Sequence, residues 1–359
     1  MNALARLIAR RIATTGPITV ADYMATVLGH PEHGYYMTRD PLGRAGDFIT
    51  APEISQVFGE LLGIWCVAAW RTMGAPAAFN LVELGPGRGT LMADALRAAS
   101  QAPDFVRAAR ITLVEMSPVL RASQKTALQA YDVVWCDSLD DVSDGPILLF
   151  ANEFFDALPV HQLVRTEKGW CERLVGQDEA GFRFMLSGET TPVAALLAPA
   201  LRLEAPVGAI AEVQPAGISI ATAIAERVDT DGGAALIIDY GHETSAAGDT
   251  LQAVREHEAQ DIFDAPGEAD LTVHVDFDAI GRAIVGQANL FGPVDQGTFL
   301  QRMGISVRAE QLEAQATAKQ ASDIASGVRR LITADEMGTL FKVIGLVPNG
   351  LTSLPGFEN

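Results

Sequence analysis

The stretch LVELGPGRGT, residues 81–90, decides the fold of this chain. A short apolar run is followed by glycines at positions 85, 87 and 89. Apolar runs of this length are typical of buried strands. Closely spaced glycines allow a tight turn and let the backbone approach a ligand, because no Cβ stands in the way. The pattern therefore predicts a strand that enters a turn facing a bulky polar molecule of the nucleotide class.

Two classes of protein use such a turn, and their glycine spacing differs. Dinucleotide oxidoreductases use GxGxxG, whereas class I S-adenosylmethionine (AdoMet) methyltransferases usually carry E/DxGxGxG. Glu83, Gly85, Gly87 and Gly89 fit the second spacing, and Thr90 departs from the first. Glycine turns also follow strands in proteins that bind no ligand. The spacing therefore favours AdoMet without excluding the other classes.

Acids at three successive predicted strand ends match the polar groups of AdoMet. Glu83 is placed to hold the ligand's ammonium, directly or through water. Glu115 is predicted to accept both ribose hydroxyls, although a NAD enzyme uses the same device. Asp137 is predicted to accept from the adenine amine, with helix capping as the alternative role. These acids in this order favour AdoMet, and the three glycines complete the predicted cofactor cradle.

The fourth predicted strand leads into NEFFDALPVHQ, residues 152–162, which marks the predicted reacting end. Ligands of open α/β sheets collect where the strand order reverses, so Asn152 and Glu153 are predicted to lie beside the methyl acceptor. Methyl transfer from a sulfonium needs an oriented acceptor and exclusion of water. A guanidinium acceptor also needs a carboxylate that orients it and assists loss of a proton. Glu153 is the predicted catalytic group, with Asn152 and Asp239 as partners and His242 as an alternative base.

The order of predicted elements indicates the fold class. From Phe79 onward, short apolar runs alternate with helical stretches, which is typical of an α/β fold with a doubly wound parallel sheet, here a Rossmann-like class I methyltransferase core. The predicted strands are LVEL, ITLVE, VVWC, ILLFAN, GAALIIDYG and TLFKVIGLV. The predicted segments are an N-terminal helical lid segment at 1–75, the first half of the core at 76–165, an inserted substrate subdomain at 166–215, and the second half of the core at 216–359 with an acidic insert at about 242–275.

Composition narrows the class of partner. The chain has 359 residues, 26 basic against 45 acidic, and a formal net charge of −19. Such a protein repels a phosphate backbone unless its basic residues cluster, and no cluster is visible, so no nucleic-acid binding is expected. No apolar run reaches about 18 residues, so no membrane span is expected. Widely spaced cysteines without metal-ligand spacing predict a reducing compartment and no metal site.

The N-terminal stretch MNALARLIARRIATTG has arginines and no acid, as transit peptides do. Its apolar positions Leu4, Leu7, Ile8 and Ile12 instead predict one buried face of an ordinary first helix.

The acidic insert predicts a charge-selective surface. Ten acids lie between His242 and Ala279, against Arg255 alone. An insert that overhangs the site would attract a cationic partner such as a basic protein segment. A solvated acidic face is the alternative.

Together these motifs resemble the MidA-type class I methyltransferases, a family that includes a mitochondrial protein-arginine methyltransferase needed for assembly of respiratory complex I. The resemblance covers nearly the whole chain and rests on GYYMTRDPLGRAGDFITAPEISQVFGELLG, ELGPGRGTLMADALR, LVEMSPVLRASQ, NEFFDALPVHQ, IIDYGH and PGEADLTVHVDF. It implies that GDFITAPEIS, with Asp47, Thr50, Pro52 and Glu53, closes over the cofactor. The chain departs from the family at Gln252, where an Arg commonly follows the TL pair.

The sequence therefore predicts an AdoMet-dependent methyltransferase, and the resemblance implies a protein arginine, such as one in a complex I subunit, as the acceptor. Two alternatives stay open: an AdoMet-binding assembly factor without transfer activity, and a NAD-dependent oxidoreductase, which Thr90 and Asp137 disfavour. We expect a cytoplasmic protein, or a mitochondrial matrix protein if the source is a eukaryote. Its oligomeric state, monomer or homodimer, is left open by the sequence.

Overall fold

The computed structural model describes residues 1–40, 43 and 50–358, and the chain folds into two compact units. The parallel-sheet unit comprises Ile49–Phe154, Thr222–Gly241 and Ile284–Asn359. The antiparallel-sheet unit comprises Met1–Phe48, Phe155–Ala221 and His242–Ala283.

The elements of both units are numbered in chain order. The helices are α1 (Ala3–Thr15), α2 (Val20–Gly29), α3 (Tyr35–Thr38), α4 (Ala51–Ile54), α5 (Gln56–Thr72), α6 (Thr90–Ala99), α7 (Pro103–Ala108), α8 (Pro118–Ala127), α9 (Pro199–Glu204), α10 (Pro215–Asp231), α11 (Phe277–Ala283), α12 (Gln296–Arg302), α13 (Ile305–Glu313), α14 (Ala318–Ile332) and α15 (Met337–Leu340). The strands are β1 (Ile18–Thr19), β2 (Phe79–Leu84), β3 (Ala109–Val114), β4 (Val133–Cys136), β5 (Ile147–Asn152), β6 (His161–Thr166), β7 (Gly169–Asp178), β8 (Gly181–Thr190), β9 (Ile210–Val213), β10 (Gly233–His242), β11 (Gln252–Arg255), β12 (Glu258–Gln260), β13 (Asp270–Thr272), β14 (Val275–Asp276), β15 (Asn289–Asp295) and β16 (Phe341–Val347).

The parallel-sheet unit is built on strands in the order β15-β16-β10-β5-β2-β3-β4. The strands β10, β5, β2, β3 and β4 run parallel, whereas β16 is antiparallel to β10 and β15 is antiparallel to β16. The chain runs outward from β2 through β3 to β4 and then returns to β5 on the other side of β2. The strand order therefore reverses between β2 and β5, and the predicted doubly wound α/β fold is confirmed.

Close helix packing fixes the position of the helix that follows the glycine turn. A Cβ at Gly59 of α5 would lie 2.6 Å from Cβ of Asp94 in α6, and a Cβ at Gly63 would overlap the backbone of Ala95. Only glycine allows the two helices to approach so closely. Because α6 begins at Thr90, directly after the glycine turn, this contact also fixes the position of the turn at the edge of the sheet.

The antiparallel-sheet unit contains a sheet in the order β1-β7-β6-β9, with β8 paired to β7, and a smaller sheet in the order β12-β11-β13. The strands β7 and β8 pair as an antiparallel hairpin within the predicted insert at 166–215. The predicted first helix is also confirmed as α1, which buries Leu4, Ile8 and Ile12. The prediction that Leu7 joins this buried face is wrong, because Leu7 points to solvent and is 40% exposed.

The compact units group the predicted segments differently from the sequence-based division. Helices α4 and α5 fall in the predicted 1–75 segment but pack into the core of the parallel-sheet unit, through residues such as Phe58 and Trp65. The predicted insert at 166–215 and the acidic insert at 242–275 belong to one unit with residues 1–48. Chain segments far apart in sequence share a core here, which local patterns do not reveal. The lid and substrate roles of those segments stay predictions.

Among the described residues, no helix is both long enough and apolar enough to cross a membrane.

Candidate functional site

The acids and amides predicted from the sequence lie along one edge of the central sheet. Glu83 is the second-to-last residue of β2, and Glu115 and Asp137 come directly after β3 and β4. Asn152 ends β5, and Asp239 lies near the end of β10. Because these five strands are parallel, their carboxyl ends meet at the same edge. Glu83 and Asn152 stand on β2 and β5, the neighbouring strands between which the order reverses.

The glycine turn has the backbone that its spacing predicts. Gly85, Gly87 and Gly89 have φ values of +60°, +52° and +82°, a left-handed region that favours glycine. A Cβ at Gly85 would also lie 2.7 Å from Cδ2 of Phe154. Gly89 is the N-cap of α6 and makes no side-chain capping bond. Apart from the N–H of Met92, which bonds to Glu83, the first backbone N–H groups of α6 therefore point toward a site that suits an anionic group such as a carboxylate.

Glu83 and Asn152 carry buried acceptor atoms that call for a donor. Glu83 is 3% exposed, and its Oε2 has no hydrogen-bond partner among the described residues. Burial raises the pKa of Glu83 to about 8, against a hydrogen bond from the Met92 backbone that lowers it. Oδ1 of Asn152 is likewise buried and without a partner within the same set. Such atoms are rare in folded proteins, and at a sheet edge they fit a cationic, hydrogen-bond-donating ligand.

Glu115 is held rigidly at the end of β3. Its Oε1 accepts from the Ser117 N–H at 2.7 Å, and its Oε2 accepts from Nε2 of Gln124 at 3.2 Å. Burial raises the pKa of this carboxyl, while these hydrogen bonds lower it. The next residue, Met116, is 62% exposed, and the sequence reasoning missed it. An exposed apolar side chain beside an acid predicted to accept ribose hydroxyls is suited to pack against a planar base.

Asp137 lies at the predicted edge but on the surface. Its side chain is 78% exposed and pairs with Nη2 of Arg121 at 2.7 Å. The same arginine donates to the backbone oxygens of Glu115 and Cys136, so the ion pair ties the ends of β3 and β4 together. The capping role considered for Asp137 falls instead to Ser138, the N-cap of a short 3₁₀ turn. The adenine contact of Asp137 stays a prediction.

Glu153 occupies a strained backbone position at the end of β5. Its φ is +48°, which is uncommon outside glycine and clusters at functional sites. Its N–H donates to the Ile238 carbonyl at 2.9 Å. Its Oε1 accepts from the Ala51 N–H at 2.8 Å and from Nδ2 of Asn152 at 3.3 Å. The carboxylate therefore binds the first residue of α4, and its place at the reacting end stays a prediction.

Asp239 is completely buried and holds backbone rather than facing solvent. Its Oδ2 accepts from the Phe154 N–H at 3.2 Å, and its Oδ1 accepts from the Tyr240 N–H at 2.9 Å. These contacts fix the chain directly after Glu153. The catalytic role of Asp239 stays a prediction.

The segment that begins at Thr50 lies beside both the glycine turn and the end of β5. Thr50 is the N-cap of α4, and Pro52 is buried within it. Oε1 of Glu53 accepts from the Thr90 hydroxyl at 2.6 Å, a contact that the sequence did not predict. Together with the Ala51 to Glu153 bond, this contact links α4 to the start of α6 and to the residue directly after β5. Asp47, assigned to the same closing segment, lies outside the described residues.

The acidic insert is less acidic than its local count indicates. Asp249 pairs with Arg173 at 2.7 Å, and Asp278 pairs with Arg282. Asp270 accepts from the Tyr36 hydroxyl at 2.7 Å. The distant Arg173 and the nearby Arg282 therefore balance two of the acids, and the Tyr36 hydroxyl supplies a hydrogen bond to a third.

His242, considered above as an alternative base, lines a cavity of about 160 Å³ inside the antiparallel-sheet unit. Its Nε2 is 3.9 Å from Oδ2 of Asp276, and His274 and Arg282 line the same cavity. Burial, with the nearby His242, lowers the pKa of His274.

With this geometry in place, comparison with known proteins decides the family. Residues 61–294 match the family described as "Putative S-adenosyl-L-methionine-dependent methyltransferase". The chain belongs to this MidA-type methyltransferase family. The match covers the glycine turn, the acids of the sheet edge and the reacting end. AdoMet is therefore the cofactor class, as predicted, and the dinucleotide alternative is not supported.

Relatives of this methyltransferase align with nearly the whole chain. The mitochondrial "protein arginine methyltransferase NDUFAF7 homolog" of Drosophila melanogaster is 41% identical, over 98% of this chain and 86% of that protein. The protein arginine methyltransferase NDUFAF7 of Mus musculus is 42% identical, over 94% and 83%. A solved structure from Burkholderia thailandensis, described as a "likely methyl transferase" bound to S-adenosyl-homocysteine, is 31% identical with a TM-score of 0.85, over 99% of this chain and 95% of that one. The predicted family, fold class and cofactor are confirmed.

Proposed function

We propose that this methyltransferase transfers a methyl group from AdoMet to an arginine side chain of a protein. The observation that carries the proposal is the pair of buried acceptors, Glu83 Oε2 and Asn152 Oδ1, on the two strands where the sheet order reverses. The curated relatives named as protein arginine methyltransferases support arginine as the acceptor.

The cofactor site follows from the sheet edge. Glu83 accepts hydrogen bonds from the ammonium of AdoMet, and the start of α6 receives the carboxylate of its amino-acid part. Glu115 accepts from the ribose hydroxyls, and Met116 packs against the adenine. Asp137 accepts from the adenine amine, as its place after β4 predicts.

The reacting end orients the acceptor. When bound, AdoMet supplies an electrophilic methyl group on a sulfonium. The acceptor nitrogen would bond to that methyl carbon as the carbon–sulfur electron pair goes to sulfur, and the carboxylate of Glu153 would accept the proton that the nitrogen loses. Oδ1 of Asn152 and the carboxylate of Glu153 accept guanidinium N–H groups and favour this proton loss. Asp239 keeps the backbone of the 153–154 segment in place, which serves positioning rather than proton transfer.

The partner and compartment of the enzyme belong to the same proposal. We propose a basic protein segment as the methyl acceptor, since the net charge of −19 attracts cations. A complex I subunit is the acceptor that the family resemblance implies. The relatives are named as mitochondrial. We therefore propose that the enzyme works in the mitochondrial matrix if the source is a eukaryote, and in the cytoplasm otherwise. A homodimer is proposed as the alternative to a monomer, and light scattering on the purified protein distinguishes them.

Transfer is tested with AdoMet that carries a deuterated methyl group. The purified enzyme is incubated with arginine-containing basic peptides and with matched peptides in which lysine replaces arginine, and mass spectrometry locates the label. We expect label on arginine only, and a large loss of transfer in Glu153→Gln with AdoMet binding retained. Glu310→Gln, an exposed acid on α13, is the control. AdoMet binding without label on any arginine of peptides or cell extract would favour the assembly-factor alternative.

A further inference from the structure

Gln124 is a buried amide beneath the cofactor turn. It lies on α8, is fully buried, and makes three hydrogen bonds to three different elements. Its Nε2 donates to the Gly87 carbonyl at 2.7 Å and to Oε2 of Glu115 at 3.2 Å. Its Oε1 accepts from Nε1 of Trp135 at 2.9 Å. One side chain thus joins the glycine turn, the acid after β3, and β4.

Chemistry allows only one orientation of this amide. An indole nitrogen donates and cannot accept, so Nε1 of Trp135 must face the amide oxygen of Gln124. The two hydrogens on Nε2 then face two acceptors, the Gly87 carbonyl and Glu115. A flipped amide would set donor against donor at Trp135 and acceptor against acceptor at the other two contacts.

The contact with Gly87 fixes a peptide plane of the turn. The carbonyl oxygen of Gly87 is held toward Gln124, and in a trans peptide the N–H of the next residue points the opposite way. The Arg88 N–H is therefore directed away from α8. Gly89 packs on the same side chain, since a Cβ there would lie 3.4 Å from Cγ of Gln124. The conformation of the turn thus depends on the side chain beneath it.

The contact with Glu115 fixes a carboxylate plane. Oε2 is held by Gln124, and Oε1 is held by the Ser117 N–H. With a donor on each oxygen, the carboxylate is held in one rotamer. Loss of Gln124 would leave Oε2 of Glu115 buried with one fewer donor, and the carboxylate could then rotate out of its present plane.

We propose that Gln124 is a positioning residue of the cofactor site, which sets the affinity for AdoMet through the Gly87 carbonyl and the Glu115 carboxylate without touching the cofactor. The inference rests on AdoMet as the cofactor and is independent of which acceptor is methylated. A neutral donor is required here, because an acid at this position would accept where both partners accept and would repel Glu115.

Two single variants separate positioning from packing. Gln124→Met keeps the length of the side chain and removes all three bonds, whereas Trp135→Phe removes only the bond to Oε1 and leaves both Nε2 contacts. We expect Gln124→Met to raise the Kd of AdoMet about tenfold or more, the range found for residues that hold metal ligands in place. We expect Trp135→Phe to keep a Kd close to that of the wild type, although both variants lower Tm.

Calorimetric titration of AdoMet into the folded variants, with the wild type alongside, decides the proposal. A Gln124→Met protein that melts earlier but binds as tightly as the wild type would overturn it, since the amide would then serve packing alone. Equal weakening in both variants would also overturn it. A wild type that does not bind AdoMet would refute the cofactor assignment instead, so the two failures are distinguishable.

A double-mutant cycle tests the route through Glu115. If Gln124 acts by holding that carboxylate, the effects of Gln124→Met and Glu115→Gln on Kd are non-additive, because the second change removes what the first one orients. Additive effects would overturn the Glu115 half of the proposal.

Discussion

Replacement of Glu83 by glutamine is expected to stabilise the protein while weakening its cofactor binding. Burial raises the pKa of this carboxyl from 4.5 to about 8. Between these pH values the unfolded chain loses the proton and the folded protein keeps it, so stability falls as pH rises. The interval from pH 4.5 to pH 7 covers about 2.5 pH units. At ~1.36 kcal/mol per unit, the raised pKa lowers the free energy of unfolding by about 3 kcal/mol at pH 7. Glu83→Gln removes that cost.

The stability effect is measured by denaturant unfolding of the cofactor-free protein at several pH values. We expect the advantage of Glu83→Gln to be small near pH 4.5 and to grow by roughly 1.4 kcal/mol per pH unit toward pH 8. Glu310→Gln on the surface of α13 should leave the pH dependence of the wild type unchanged. A wild type and Glu83→Gln with parallel pH profiles would refute the reasoning.

The binding effect follows from the same carboxyl. An ammonium beside Glu83 favours its ionised form, so AdoMet binding to the wild type at pH 7 should release a proton. Titrations in two buffers of different ionisation enthalpy measure that proton. We expect Glu83→Gln to bind AdoMet more weakly and to release none of it. Proton-neutral binding by the wild type would place the ammonium elsewhere.

Two further predictions concern the turn and the helix packing behind it. Gly85→Ala should lose AdoMet affinity, because φ at +60° costs about 1–2 kcal/mol for a non-glycine residue and the new Cβ would lie 2.7 Å from Phe154. The control Gly74→Ala, at φ +84° in open space, should bind AdoMet normally, and equal binding by both variants would contradict this prediction. Glu60→Gln should lower the free energy of unfolding by about 1–3 kcal/mol, since that buried carboxylate accepts hydrogen bonds from two arginines. The exposed ion pair of Asp104 with Arg107 should be worth under ~1 kcal/mol, so equal losses in Glu60→Gln and Asp104→Asn would argue against the buried network.

Local patterns predicted the sheet and its glycine turn. The strands β2, β3, β4 and β5 are short apolar runs, and strong local preferences agree with the final fold there. The position of Glu83, Glu115 and Asn152 at one edge of the sheet followed from the predicted parallel topology. The spacing of Gly85, Gly87 and Gly89 predicted a tight turn, and the structure adds that all three have positive φ values, which glycine adopts readily.

Contacts between distant segments were not visible in the sequence. Nothing in the local pattern indicated that Thr90 donates to Glu53, or that Gln124 joins Gly87 and Glu115. The acidic count of residues 242–279 omitted Arg173, which lies far away along the chain and pairs with Asp249. Pairings of this kind depend on tertiary packing, which spacing does not encode. The hydrogen bond from the Ala51 N–H to Glu153 is another contact between distant segments.

The central claim, that the turn at 85–89 cradles AdoMet, is tested most directly by titration of AdoMet into wild type and Gly87→Val. Gly87 has a φ of +52°, so a β-branched residue there distorts the turn and places a side chain where the cofactor must lie. We predict saturable binding to the wild type and none to the variant, with circular dichroism confirming that the variant is folded. A folded Gly87→Val protein that binds AdoMet with wild-type affinity would contradict the account.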